Sequence, residues 1–95
     1  HKLIFLVFER NGCPWCAKYK NELEFTLEEE YKEDIKFFKV KKGSEVFSML
    51  TNVFRQDVII YPMTYIIKLD ENKESKIIYE IYGYQTEDYV EEVFD

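Results

Sequence analysis

With 95 residues, the chain is long enough for one hydrophobic core but not for two, so we expect a single domain over residues 1–95. Hydrophobic residues make up 46% of the chain, and only three glycines and two prolines occur, which argues against disorder. The formal net charge of −6 argues against nucleic-acid binding, because proteins that bind nucleic acid meet the phosphate backbone with a basic surface.

Two further classes of segment are not indicated by the sequence. No apolar run approaches the roughly 20 residues that a membrane-spanning helix requires, so we expect no membrane span. We also expect the protein to be a monomer. The sequence begins without methionine, and we expect a mature or excised domain, so that a missing signal peptide says nothing about export. Two cysteines provide no framework of structural disulfides.

The first predicted element is a strand over residues 2–8. Six consecutive apolar residues at positions 3–8 are typical of a strand that is covered on both faces. Asn11 and Gly12 then form a turn signal. A helix is predicted to begin at or just after Cys13, with Pro14 in its first turn, and to end near residue 31 or 32. Its predicted buried stripe consists of Ala17, Tyr19, Leu23, Leu27 and Tyr31.

The remaining elements alternate before a final hairpin. We predict a strand over residues 35–40 and a helix that is capped by Ser44 and ends at residues 55–57. Strands over residues 63–69 and 76–82 are predicted to pair across a polar loop. The buried face predicted for the middle helix is Val46, Phe47, Leu50, Val53 and Phe54. The last helix, capped by Thr86, is predicted to bury Tyr89, Val90, Val93 and Phe94.

The predicted order is β-α-β-α-β-β-α, which indicates the α/β fold class. A βαβ unit requires two parallel strands with a right-handed crossover, whereas the terminal hairpin adds antiparallel strands. We therefore expect a mixed four-stranded sheet with helices on both faces.

Both cysteines lie where the first strand meets the first helix, two residues apart. The thiolate is the reactive form of cysteine, and a position at a helix N-terminus lowers its pKa from about 8.5 to roughly 3.5–7.5. We predict that Cys13 is an exposed nucleophile and that Cys16, one turn into the helix, is a partly buried resolving thiol. Two buried structural cysteines are the alternative. A metal site is not expected, because only His1 and carboxylates are available to complete a set of ligands.

A Cys-X-X-Cys motif that opens the helix of a first βαβ unit is typical of thioredoxin-like redox sites. The sequence resembles the thioredoxin superfamily over essentially its whole length. The matching features are Val7 and Phe8 leading into the motif GCPWC at residues 12–16, a proline loop over residues 58–62, and Gly83 after the last strand. The phrase FERNGCPWC at residues 8–16 is also similar to small bacterial thioredoxin-related proteins, some of them periplasmic. We expect a periplasmic location, with the cytoplasm as the alternative.

The resemblance implies a thioredoxin-like fold for the single domain and thiol–disulfide exchange at the two cysteines. It implies no cofactor beyond the Cys13–Cys16 disulfide or dithiol, a protein substrate that contains a disulfide, and a protein electron donor. It also implies that Pro62 is cis and presents the backbone of Tyr61 to an extended substrate segment. The alternative is that the peptide bond before Pro62 is trans and that Pro62 simply ends a strand.

Three positions depart from the pattern that the resemblance implies. Thioredoxins carry a buried acid six residues before the first active-site cysteine, where this chain has Val7. Glu9 points to the same side of the strand and either substitutes for that acid or is a solvated turn residue. The residues between the cysteines are Pro14 and Trp15 instead of the glycine and proline of thioredoxins, and Tyr61 is bulkier than the residue usual before the cis-proline.

The remaining candidate residues surround the cysteines. Trp15 is predicted to face solvent and contact partners, with a core position as the alternative. Tyr84 is the hairpin tyrosine expected at the rim of the site, and Pro14, Glu9 and Gly83 are expected to support it. Lys18 and Lys20 either stabilise the thiolate or are ordinary solvated lysines. These are predictions from position in the sequence.

The leading functional hypothesis is a thiol:disulfide oxidoreductase in which Cys13 attacks a protein disulfide and Cys16 resolves the mixed disulfide. The missing acid at Val7 and the Pro-Trp dipeptide favour a reductase of specific partners over a general thioredoxin. A non-catalytic thioredoxin-fold binding module that uses Trp15, Tyr61 and Tyr84 is one alternative. A glutaredoxin-like, glutathione-dependent reductase is the other.

Overall fold

Four strands and four helices make up the computed structural model, which describes residues 3–21, 25–72 and 74–94. The strands are β1 (Leu3–Glu9), β2 (Ile35–Lys41), β3 (Met63–Leu69) and β4 (Ser75–Tyr82). The helices are α1 (Pro14–Tyr19), α2 (Phe25–Tyr31), α3 (Glu45–Phe54) and α4 (Glu87–Phe94). None of the described helices combines the length and the apolar character that a membrane crossing requires.

The strands form one mixed sheet in the order β2-β1-β3-β4. β1 pairs with β2 in parallel, whereas β1 with β3 and β3 with β4 are antiparallel. The predicted α/β class and the mixed four-stranded sheet are therefore confirmed. β1 is a central strand, and its buried residues Phe5, Leu6, Val7 and Phe8 are each at most 4% exposed, because both faces of the sheet are covered.

Each face of the sheet carries its own core. Phe5 and Val7 point to one face, where they pack with residues of α1, α2 and α4, including Tyr19, Leu27 and Val90. The alternate residues of β1 point to the other face, where the partly buried side chains Phe47, Leu50 and Phe54 of α3 complete a second cluster. Helices therefore cover both faces of the sheet, and the carboxyl end of β1 leads directly into the cysteine motif.

The first helical region, predicted as one helix that ends near residue 31 or 32, is described as α1 and α2. Residues 22–24 between them, including Leu23, lie outside the described residues, so the predicted continuity there is not tested. Tyr19 and Leu27 are fully buried and Tyr31 is half-buried, but Ala17 is exposed. The prediction for Ala17 is wrong because residues two apart lie about 200° apart around a helix, so Ala17 and Tyr19 cannot share one face.

The apolar faces predicted for the later helices were too wide. Val46 is 48% exposed, Val53 is 66% exposed and Tyr89 is 39% exposed, so their predicted burial is wrong. Each of these residues directly precedes an inward-facing residue of its helix and is therefore turned about 100° toward solvent. The inward-facing residues of each helix pack against the sheet, and the apolar residues beside them lie at the surface.

Three glutamates meet where α2 packs near α4. One carboxylate oxygen from each of Glu30, Glu87 and Glu91 lies within 4.8 Å of the other two. Burial raises the pKa of Glu91, and repulsion by Glu30 and Glu87 raises it further. The folded protein therefore favours the protonated form of Glu91. The stability gained from that protonation is present at acidic pH and is lost as the pH rises through the raised pKa.

This arrangement predicts that Glu91 makes the protein relatively more stable at acidic pH. We expect Glu91→Gln to raise the free energy of unfolding at pH 7, and to make the change in that free energy between pH 7 and about pH 5 less favourable than in the unmodified protein. Urea unfolding at both pH values measures this difference. Glu92→Gln, which removes the same charge from an exposed site on α4, is the control. An unchanged pH dependence in Glu91→Gln would contradict the prediction.

Candidate active site

A disulfide joins Cys13 and Cys16 at the start of α1, with their Cα atoms 5.2 Å apart. Cys13 is the N-cap residue, in an extended conformation, and its sulfur accepts a hydrogen bond from the backbone N–H of Cys16 at 3.2 Å. Pro14 occupies the first turn, where its missing N–H costs no helical hydrogen bond. An N–H aimed at sulfur favours the thiolate, so this geometry stabilises a negative charge on Cys13 when the pair is reduced.

Cys13 is more buried than the sequence predicts. It is 7% exposed, nearly as little as Cys16 at 5%, so the expectation of an exposed first cysteine is wrong. Its sulfur lies 3.8 Å from the carbonyl oxygen of Tyr61, to which the reduced S–H group can donate. The loop before β3 therefore packs directly against the disulfide and narrows the approach to Cys13.

That loop contains the proline singled out from the sequence. The Tyr61–Pro62 peptide bond is cis, and Pro62 is buried immediately before β3 begins at Met63. Tyr61 is half-buried, and its hydroxyl donates to the carbonyl of Val58 at 3.1 Å. Tyr61 therefore has its ring anchored on its own loop, while its backbone faces the cysteine pair.

An aromatic pair forms another part of the rim. Trp15 is 54% exposed, and its ring centroid lies 5.4 Å from that of Tyr84. Tyr84 is half-buried and contacts the ring of the buried Tyr19 edge-on, at 6.0 Å. The Nζ atom of Lys18 lies 5.4 Å from the Trp15 ring and 5.0 Å from the Tyr84 ring. Trp15, between the two cysteines, therefore contacts Tyr84 in the segment that follows β4.

Gly83 makes the turn that delivers Tyr84 to this rim. Its φ of +72° lies in the left-handed region that glycine adopts without a steric penalty. A Cβ atom there would lie 3.7 Å from Cγ2 of Ile60, so Gly83 also lies beside the proline loop.

The position of the missing acid is apolar in three dimensions as well. Val7 is 1% exposed, and it lies across from Thr64 in the antiparallel pairing of β1 with β3. Glu9 is half-buried at the end of β1, opposite Lys41 of β2. Among the described residues, the Glu9 side chain forms no ion pair or hydrogen bond, and its role as a substitute acid stays a prediction.

A pair of buried hydroxyls was missed in the sequence. Tyr19, one turn after Cys16, has its hydroxyl 3.0 Å from Oγ1 of Thr64, and both residues are fully buried. Thr64 follows Pro62 by two positions and lies beside Val7. The only signal in the sequence was a threonine within the apolar strand at residues 63–69. The polar groups on the core side of this site are therefore neutral hydroxyls.

We expect Tyr19→Phe to lower the free energy of unfolding by about 1–3 kcal/mol, because the buried Thr64 hydroxyl loses its partner. Equilibrium urea unfolding measures the loss. Adding Thr64→Val removes the unsatisfied hydroxyl with little change in shape, so the double variant should recover part of the stability. Unchanged stability of Tyr19→Phe would show that this hydrogen bond contributes nothing.

Comparisons with known proteins identify the fold. No protein-family model matches the sequence, and no curated protein matches it. A thioredoxin from Thermus thermophilus superposes with a TM-score of 0.76 at 11% identity, over 98% of this chain and 72% of that one. Thioredoxin-2 of the malaria parasite, a component of its protein secretion machinery, gives 0.77 at 17% identity, over 98% and 81%. Chloroplastic thioredoxin z gives 0.71 at 22% identity, over 97% and 74%.

At these identities the likeness establishes the fold and not the substrate. The superpositions cover at least 97% of this chain, so the likeness extends over the whole described fold. The structure neighbours are thioredoxins and thioredoxin-like proteins, and the chain itself has a thioredoxin-like fold with a Cys13–Cys16 pair at the N-terminus of its first helix.

Proposed function

We propose that the protein is a thiol:disulfide oxidoreductase that reduces disulfides in protein substrates. The observation that carries this proposal is the Cys13–Cys16 disulfide at the N-terminus of α1, packed against the backbone of Tyr61. A purely structural disulfide does not require this combination of an N-cap sulfur, a helix N–H aimed at it and an adjoining loop that ends in a proline.

The reaction begins with the protein in its dithiol form. The Cys13 thiolate attacks one sulfur of the substrate disulfide, which forms a mixed disulfide and releases the other substrate sulfur as a thiolate. Cys16 then loses its proton and attacks the Cys13 sulfur, which releases the second substrate thiol. The substrate gains two electrons and two protons, and the protein is left as the Cys13–Cys16 disulfide. A dithiol donor returns it to the reduced form.

The two cysteines are assigned to different steps by their surroundings. The N–H of Cys16 donates to the Cys13 sulfur and so favours a thiolate there, both as nucleophile and as leaving group. Cys16 lies within the first turn of α1, where its sulfur reaches that of Cys13, so we assign to it the intramolecular attack on Cys13.

The proline loop is the proposed docking edge for the substrate backbone. Ile59 is 84% exposed and Ile60 is 44% exposed, and Tyr61 follows them against the disulfide. An extended substrate segment that pairs with this loop by strand addition would place its cysteine next to Cys13. Main-chain pairing of this kind tolerates different side chains.

The function is tested by two measurements. The protein should accelerate the reduction of insulin disulfides by dithiothreitol, which is followed by the precipitation of the insulin chains. Reduction potentials of such pairs range from roughly −270 to −120 mV, and a reductase lies toward the negative end. The pair should therefore stay oxidised in millimolar reduced glutathione. A pair that glutathione reduces readily would overturn the reductive direction, and no acceleration of insulin reduction would overturn the function itself.

A further inference from the structure

Lysine side chains lie over the aromatic rings around the disulfide. Nζ of Lys18 lies 5.4 Å from the Trp15 ring and 5.0 Å from the Tyr84 ring. Nζ of Lys42 lies 5.8 Å from the ring of Tyr61. These distances fall within the roughly 6 Å over which a ring face attracts a cation. Two lysines therefore lie over the three aromatic residues that border the cysteine pair.

A third cation lies in the turn that precedes Cys13. Arg10 is exposed, and one of its terminal nitrogens is 3.4 Å from the carbonyl oxygen of Asn11. Burial raises the pKa of the Tyr61 phenol, and the charge of Arg10 opposes that shift, so Arg10 acts on the same ring as Lys42. Lys42 is held near by its backbone N–H, which donates to the carbonyl of Glu9 at 2.7 Å.

The described part of the chain shows no carboxylate partner for these three cations. Within residues 3–21, 25–72 and 74–94, none of Arg10, Lys18 and Lys42 forms an ion pair, and all three are exposed. The chain as a whole has 19 acidic residues against 13 lysines and arginines, so unpaired positive charge at one place runs against its composition.

We propose that this basic aromatic rim, formed by Arg10, Lys18 and Lys42 with Trp15, Tyr61 and Tyr84, selects polypeptide disulfides flanked by aspartate or glutamate side chains. The proposal rests on the reductase function above and names its substrate class. The attraction acts over a short range, because salt screens exposed charges beyond about 8 Å at physiological ionic strength. Only carboxylates close to the reacting cysteine are therefore selected.

The experiment compares two peptides that are each closed by one disulfide. They are identical except that glutamates on both sides of one cysteine in the first peptide are glutamines in the second. With dithiothreitol as electron donor, the glutamate peptide should have a kcat/KM about threefold to tenfold higher at low salt, since exposed ion pairs each contribute a factor of about 1.4 to 5. The difference should lie mainly in KM and should disappear toward 0.5 M salt.

Charge variants of the protein locate the effect. Lys18→Gln, Lys42→Gln and Arg10→Gln should each lower the ratio of the two kcat/KM values. Lys76→Gln should leave the ratio unchanged, because it removes an exposed lysine near the start of β4, at the opposite end of the strand from the proline loop. Equal rates for the two peptides, a ratio that survives high salt, or an equal effect of Lys76→Gln would each overturn the substrate class. Failure to reduce either peptide would instead overturn the reductase function.

Discussion

Replacement of Cys13 by serine is expected to abolish disulfide reduction, leaving only the uncatalysed exchange between dithiothreitol and insulin. Serine cannot form the mixed disulfide, and the hydrogen bond that favours a thiolate goes to the Cys13 sulfur, so we expect Cys16 to be a poor replacement for the first attack. Insulin reduction measures the loss. Cys16→Ser is the matched variant, because it keeps the nucleophile and removes only the resolving step.

Cys16→Ser should therefore accumulate a mixed disulfide between Cys13 and the substrate. Non-reducing electrophoresis and mass spectrometry would show the adduct, and captured proteins would identify the natural substrate and electron donor. Turnover by Cys13→Ser would contradict the assignment of the nucleophile. If Cys13→Ala left partner binding and cellular function intact, a non-catalytic binding module would be the better description. A stable adduct with glutathione would instead favour a glutaredoxin-like reaction.

The second large effect is expected at the centre of the sheet. Phe5 of β1 is 1% exposed, and its ring centroid lies 5.1 Å from that of Phe37 and 5.7 Å from that of Phe94. Phe5→Ala should lower the free energy of unfolding by about 3–5 kcal/mol through lost burial and the remaining cavity. Small domains have only about 5–15 kcal/mol in total, so the variant should be close to unfolding.

Thermal and urea unfolding measure this loss, since about 4–8 °C of Tm accompanies each kcal/mol in a domain of this size. Phe38→Ala on the neighbouring strand β2 is the matched control. Phe38 is 46% exposed, so the same deletion there should cost about 1 kcal/mol. Equal losses in the free energy of unfolding for the two variants would contradict the prediction, because the buried Phe5 would then contribute no more than the exposed Phe38.

Local patterns were sufficient to predict most of the scaffold. The apolar run at residues 3–8 predicted a strand covered on both faces, because such a strand buries consecutive side chains, and Phe5 to Phe8 are buried. Ser44 was predicted as a cap, and its hydroxyl accepts the N–H of Phe47 at 3.1 Å. β3 has the predicted bounds. The cap depends on residues that are close in sequence, and the strands follow from local runs of apolar residues, so both can be inferred without knowing the rest of the fold.

Predictions of burial were less successful because burial depends on what approaches from elsewhere. Val46, Val53 and Tyr89 carry apolar side chains, yet each lies beside the stripe that meets the sheet, and Ala17 lies on the other side of α1 from Tyr19. Composition alone does not show which edge of an apolar helix face is left in solvent. The width of the contact is set by the partner surface.

The sequence by itself determined the cysteine pair, its place between strand and helix, and the proline loop as a candidate partner. Only the tertiary structure decided how those parts meet. Tyr61 lies 48 residues after Cys13 in the chain but packs its carbonyl against that sulfur and buries it. The Tyr19–Thr64 hydroxyl pair and the cations over the rim likewise join distant segments. Such contacts arise from the crossover and the hairpin that close the sheet, and no local pattern encodes them.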